Sequence, residues 1–244
     1  MKAVPKHSQA HRWPSETVTV GVLGGGKGGG ERAFYRGLVR DSRPLFPRLP
    51  ARSRLLRALR THRVWTSRVL AAPTRLGVID TYGIELRHPR REGRSRTPWG
   101  RKGVSPHRGL VGGKGCRRRN RLGVIVGWSC GPAHVSDTRF HPLVNRVNSR
   151  LVVLAAQRLQ AAAGDPPNRK LGRRGQWNDR MRVATVLAMM TVVSHLKHLR
   201  HRCGDYLLAR LAFLVTAVNL LRQWHGLPAD EQGFVPLSMA EFSL

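Results

Sequence analysis

One carboxylate stands out for its setting. Asp80 ends the apolar run Leu76-Gly77-Val78-Ile79 and is followed by a stretch rich in guanidiniums: Arg87, Arg90, Arg91, Arg94 and Arg96. A carboxylate at the tip of a buried strand can hold a hydrated divalent cation, and the guanidiniums beyond it can hold a phosphodiester. Acids are scarce, 13 against 44 Lys and Arg, so each is informative. Two further basic clusters, Arg117-Arg118-Arg119 and Arg173-Arg174, have the composition of a nucleic-acid grip. The first is expected at a turn between two strands, gripping phosphate or simply solvated. The aromatics Trp99 and Trp177 lie near basic clusters and could stack a base. Trp65, Trp128 and Trp224 sit in apolar patterns and are expected in the core.

Two other patterns carry less. Gly21 to Lys27 fits the opening of a phosphate-binding loop, but Gly28 stands where a Ser or Thr would hold Mg²⁺. Low-complexity glycine is the preferred reading. His195, His198 and His201 recur every third residue near Cys203, yet Lys197, Arg200 and Arg202 crowd them with positive charge. A solvated basic helix facing phosphate fits better than a metal site.

Composition bounds the rest. The chain has 244 residues, enough for a real core, and a formal charge of +31. Self-repulsion of that size opposes compaction unless a polyanion relieves it, so nucleic acid is the expected partner. The bias of 37 Arg over 7 Lys suits phosphate recognition, and a GC-rich genome would produce it as well. Cys116, Cys130 and Cys203 form no CxxC pair, which indicates neither zinc nor a disulfide framework and suits a reducing cytoplasm. Leu207 to Leu221 is apolar but interrupted by Arg210 and Asn219, and shorter than the ~20 residues of a bilayer span. It is expected to be a core helix, with no membrane involved.

The elements that must position these residues follow from periodicity. Residues 1–30 read as a flexible basic lead with a glycine joint, in which Thr17–Leu23 alternates like a strand. Residues 31–72 read as a basic helical region, with helices over Glu31–Asp41 and Ala51–Ala71. Beyond Pro73, strands are expected at Leu76–Asp80, Arg108–Cys116, Leu122–Cys130 and Leu151–Ala155. Arg139–Ser149 reads as a helix or irregular connection. Long helices are expected at Asp179–Arg202 and Tyr206–Trp224. Three early strands, a crossover and a parallel fourth strand describe an α/β fold, a mixed sheet with helices packed on it.

That order is ribonuclease-H-like, and the residues resemble a family: the DDE-type insertion-sequence transposases of bacteria. The resemblance rests on Asp80–Ser95 (DTYGIELRHPRREGRS), Gly103–Gly113 (GVSPHRGLVGG), Val124–Cys130 with Asp137, Arg173–Met181 (RRGQWNDRM) and Gly233–Leu244 (GFVPLSMAEFSL). It implies a ribonuclease-H-like domain over 73–244, with part of an N-terminal DNA-binding region before it. It also implies two-metal phosphoryl transfer on the terminal repeats and target DNA of a mobile element. In that chemistry three carboxylates hold two Mg²⁺ or Mn²⁺ ions about 4 Å apart. Homo-oligomers in a bacterial cytoplasm, associated with the nucleoid, are implied too.

Of the three implied metal ligands, only Asp80 is present. Where the family has a pattern similar to VVLAD, this chain has Val152 to Ala156, ending in alanine. Where it has one similar to RMxVETVLSM, Ala184 replaces the acid. Asp137 follows the third strand, where the family often carries an acid, and is a candidate secondary ligand. Asp179 is about 140° around a helix from position 184 and does not substitute. The resemblance therefore implies an inactive or badly impaired transposase. The alternatives are a DNA-binding remnant without catalysis and a decayed reading frame that folds poorly.

Overall fold

The computed structural model describes residues 12–27, 30–88, 90, 92, 99, 101–104, 109–120, 122–145, 152–155, 169–171, 190–191, 194–196, 199, 201 and 203–224. The architecture is mixed α/β: an open, largely antiparallel sheet flanked by helices. Three helices come first: α1 (Pro14–Gly26), α2 (Glu31–Asp41) and α3 (Arg52–His62), the last running into a 3₁₀ stretch at Arg63–Val69. Six strands follow: β1 (Leu76–Arg87), β2 (Lys102–Val104), β3 (Gly109–Asn120), β4 (Ile125–Pro132), β5 (Val152–Ala155) and β6 (Arg169–Leu171). A 3₁₀ turn at Asp137–Phe140 and the short α4 (His141–Asn145) separate β4 from β5. The long α5 (Gly204–Trp224) comes last among the described elements.

β3 is the hub of the sheet. It pairs antiparallel with β1 along one edge, and with β2 and then β4 along the other. On the far side of β1, β5 and then β6 pair in parallel. The third and fourth expected strands lie close to where periodicity put them, whereas β1 and β3 run longer. β3 continues through Arg117-Arg118-Arg119 to Asn120 instead of turning at the arginines. The turn comes after Asn120, whose side-chain Oδ1 accepts from the Val124 amide at 3.0 Å and so closes the hairpin.

Thr17–Leu23 is not a strand. It lies inside α1, and the glycines expected to form a joint or a phosphate loop are helical. Pro14 at the first helical position and Glu16, whose carboxylate accepts from the Trp13 amide at 3.1 Å, start the helix. The glycines serve close approach. A Cβ on Gly25 would lie 2.5 Å from the Phe213 carbonyl oxygen, and one on Gly21 would enter the Phe213 ring. With hydrogen on those carbons, α1 can seat on the backbone of α5.

Among the described residues two apolar cores stand out. A small one joins Val20, Leu38 and Leu55 of the first three helices. The larger lies between the sheet and α5: Tyr82, Ile84, Leu86 and Ile125 meet Leu207, Leu211, Leu214 and Val218, with Met190, Leu196 and Leu199 closing one side. By length and composition α5 could cross a bilayer, but most of it is buried against α1, the 63–69 stretch and β4. Asn219, an interruption in sequence, is fully buried. It accepts from the Ile125 amide at 2.8 Å and donates to the Ile125 and Val69 carbonyls at 2.8 and 3.0 Å. Of the expected helix Asp179–Arg202, Met190, Thr191 and Ser194 are helical; His195, at φ 51°, leaves the helix.

Candidate functional site

The site begins with alternation in β1. Successive side chains of a strand point to opposite faces, so Asp80, Tyr82, Ile84 and Leu86 share one face, while Ile79 and Thr81 share the other. Burial changes face at Asp80. Before it Gly77 and Ile79 are buried; after it Tyr82, Ile84 and Leu86 are. Asp80 is half-buried at the crossover, and its Oδ1 accepts from the Thr81 amide at 2.9 Å.

The β5 register approaches this point from the far side of β1. Leu76 pairs with Val152, and the ladder runs to Ile79 opposite Ala155, the residue pair just before Asp80. Ala156 and Ala184, where the resemblance would place two further carboxylates, lie outside the described residues, as do Arg91, Arg94, Arg96, Arg173, Arg174 and Trp177.

Across the antiparallel ladder, Asp80 stands directly opposite Arg117 and Val78 opposite Arg119. Directly opposed residues share a face, with Cβ atoms about 4.5–5.5 Å apart. Arg117 and Arg119 therefore flank the Asp80 face, and they are 1 % and 3 % exposed. This corrects the turn expectation for Arg117, Arg118 and Arg119, whether gripping phosphate or solvated: the strand runs on through them and all three are buried. Arg118 points the other way, 8 % exposed, and donates to the Leu143 carbonyl at 3.0 Å.

The electrostatics are those of buried cations. Burial lowers the pKa of Arg117, against the pull of Tyr82 and Asp80. Burial, reinforced by Arg117, pushes Arg119 well below the usual arginine range. The Arg117 guanidinium lies 5.1 Å from the centre of the Tyr82 ring, and its Nη1 donates to the Met190 sulfur at 2.7 Å, a weak acceptor. Its Nε and Nη2 have no hydrogen-bond partner among the described residues. Burial raises the Tyr82 phenol and the Cys116 thiol, the latter further raised by Asp80 and Asp137, and pushes Cys130 up to about 12.

Asp137 does not join Asp80. It is buried beside Lys114, whose Nζ sits 2.8 Å from its Oδ1, and Thr81 Oγ1 donates to its Oδ2 at 3.5 Å. Thr81 leaves β1 on the face opposite Asp80, so the two acids are served by different faces. Lys114 also donates to the Val135 carbonyl at 2.8 Å, which ties the Asp137 loop to β3.

A two-metal centre does not fit the side chains described here. Among the described residues no group of three His, Cys, Asp or Glu converges. Asp80, the one acid of β1 on this face, has two buried guanidiniums around it among the described residues, and a cation entering would meet like charge. The histidine run is no better. His195 is exposed, while His201 is largely buried with Nδ1 3.4 Å from Glu31 Oε1, and burial and Arg210 lower its pKa to about 4. His201 thus departs from the expected solvated basic face, the exposed His195 agrees with it, and His198 lies outside the described residues.

The exposed cations lie elsewhere. Arg87 and Arg90 follow β1, half-buried and exposed respectively. On α3, Arg52, Arg54, Arg57 and Arg60 are exposed while Leu55 is buried. Trp99 packs on the main core and closes over Gly204, so it is not a free stacking platform. Trp128 is partly buried there too, whereas Trp224, expected inside, is 85 % exposed. The α3 ridge lies within the basic helix expected over Ala51–Ala71. The buried arginines had no such signal, because a run of three identical charges looks the same in a strand and in a turn.

Comparison with protein-family models, with curated proteins and with solved structures finds no match to this chain.

Proposed function

We propose that this chain is a transposase-derived protein on a ribonuclease-H-like scaffold that binds DNA and does not cut it. One observation carries the reading. The sheet runs β2-β3-β1-β5-β6 with β4 also paired to β3, antiparallel through β2, β4, β3 and β1 and parallel from β1 to β6, with β5 reaching the sheet level just before Asp80. That is the strand order which brings the first and second acids of the family together. In this chain the second position is Ala156, and the cation space beside Asp80 is flanked by Arg117 and Arg119.

DNA binding on this reading uses the outer charge. The α3 ridge of Arg52, Arg54, Arg57 and Arg60, with Arg87 and Arg90 after β1, offers guanidiniums to phosphate. Phosphate contacts position a protein on a duplex without reading its sequence, so the expected binding is salt-sensitive and weakly selective. Partners would be terminal-repeat and target DNA and further copies of the chain, on the nucleoid of a bacterial cytoplasm. Mg²⁺ or Mn²⁺ would serve an active relative; no catalytic step is assigned to it here.

The test is a paired assay with labelled terminal-repeat or generic duplex. The expected result is binding that weakens steeply between 50 and 200 mM salt, by about a thousandfold if six phosphates are neutralised, with no strand cleavage in Mg²⁺ or Mn²⁺. Metal-dependent cleavage by the unaltered chain would overturn the reading. So would the absence of duplex binding at low salt.

A further inference from the structure

The buried Arg117 poses a problem that the function proposed above does not absorb. A guanidinium at 1 % exposure has lost its water, and its Nε and Nη2 have no hydrogen-bond partner among the described residues. The remaining contacts of the head group are soft: a thioether at Met190 and the Tyr82 ring. Among the described residues, Asp80 is the one carboxylate whose charge acts on it, from the opposed position in the same ladder and on the same face.

We infer that Arg117 is the resident cation of the Asp80 site. The two charges stand opposed on one face of the β1–β3 ladder and compensate each other there, where an active relative would bind divalent metal. The inference rests on the foregoing reading only in treating Asp80 as the heir of a metal ligand; it is independent of DNA binding. It has a direct chemical corollary. A carboxylate already neutralised by a guanidinium, with Arg119 next to it, has no charge left for Mg²⁺ or Mn²⁺. Asp80 is then kept for stability, and losing it strands a buried cation.

Coupling between the two residues gives the test. Asp80→Asn leaves Arg117 buried without a counter-ion, and should lower Tm by roughly 10 °C. Arg117→Met leaves a lone carboxylate and should also lower Tm. The double variant Asp80→Asn with Arg117→Met removes both charges, and should recover at least half of the larger single loss. In parallel, Mn²⁺ titration of the unaltered protein, followed by its electron paramagnetic resonance signal and by Tm, should show no binding that depends on Asp80. The inference is overturned if the two Tm losses simply add. It is also overturned if Mn²⁺ binds the unaltered protein but not Asp80→Asn. If a single variant does not fold, the double decides: a folded double supports the pair, and an unfolded one sinks it. Duplex binding measured on the same samples separates this from the functional reading. Binding retained without coupling defeats only the inference; coupling without binding defeats only the function.

Discussion

The contact between α1 and α5 and the contact between β1 and β3 are both internal, and they are made of opposite materials. The helices meet through what is missing: Gly21 and Gly25 have no side chain, and the Phe213 ring and carbonyl fill the space. α3 turns its arginines outward, with Arg54, Arg57 and Arg60 exposed. The strands meet through what is most costly to bury, with Arg117 and Arg119 inside and a single acid opposite. The same residue type is harmless on α3 and demanding on β3. Total charge therefore says little about where a basic protein is fragile; the location of each guanidinium decides it.

The helical contact breaks most sharply. Gly25→Val drives a branched side chain into the α5 backbone, and should cost about 4 kcal/mol or more, read as loss of the folded baseline in urea. Gly26→Ala is the matched control. Its new methyl would sit 3.9 Å from the Ala217 Cβ, an ordinary contact, so the midpoint should hold or rise slightly.

Asn219 links the two regions and comes next. Asn219→Leu keeps the volume but strips both the Ile125 amide and carbonyl of their buried partner, at about 2–4 kcal/mol in the same denaturation assay.

A pH effect of up to about 3 kcal/mol is expected at His201, which faces Glu31 and Arg210. Its folded pKa of about 4 lies below the ordinary 6.5, so the folded state resists protonation. The contribution is present above pH 6.5 and is lost as pH falls from there toward 4. Melts of His201→Gln should show less of this acid-side drop than the unaltered chain, and an equal drop would assign the effect to other groups.

The smallest stability effect sharpens the comparison. Arg57→Gln on the exposed ridge should move stability by less than about 0.5 kcal/mol, and yet lower the salt slope of duplex binding by about one.

Much of the sheet could be read from the residues. LGVIVGWSC and VVLA are apolar and β-branched, and the structure makes strands of both. What escaped was decided by tertiary contact. Thr17–Leu23 alternates like a strand, but Pro14, Glu16 and the reach of α5 made it a helix; the first two signals were present in the sequence and were outweighed by the alternation. Arg117-Arg118-Arg119 looked like a turn because charge usually sits in water, and here a strand paired on both edges took it inside. Asp80 was legible as the residue to watch. Its partner was not, because a cross-strand register joins positions thirty-seven apart that no local pattern links.

Gly21 and Phe213 touch in the finished molecule, and the ribosome makes them far apart in time. Until α5 has left the exit tunnel, α1 has no seat for its glycines, and the sheet lacks the helix that covers Tyr82, Ile84 and Ile125. The nascent chain must wait with that apolar surface open, beside ribosomal RNA whose phosphates attract every arginine in it. For this protein, timing of synthesis is a hazard that the final structure no longer displays.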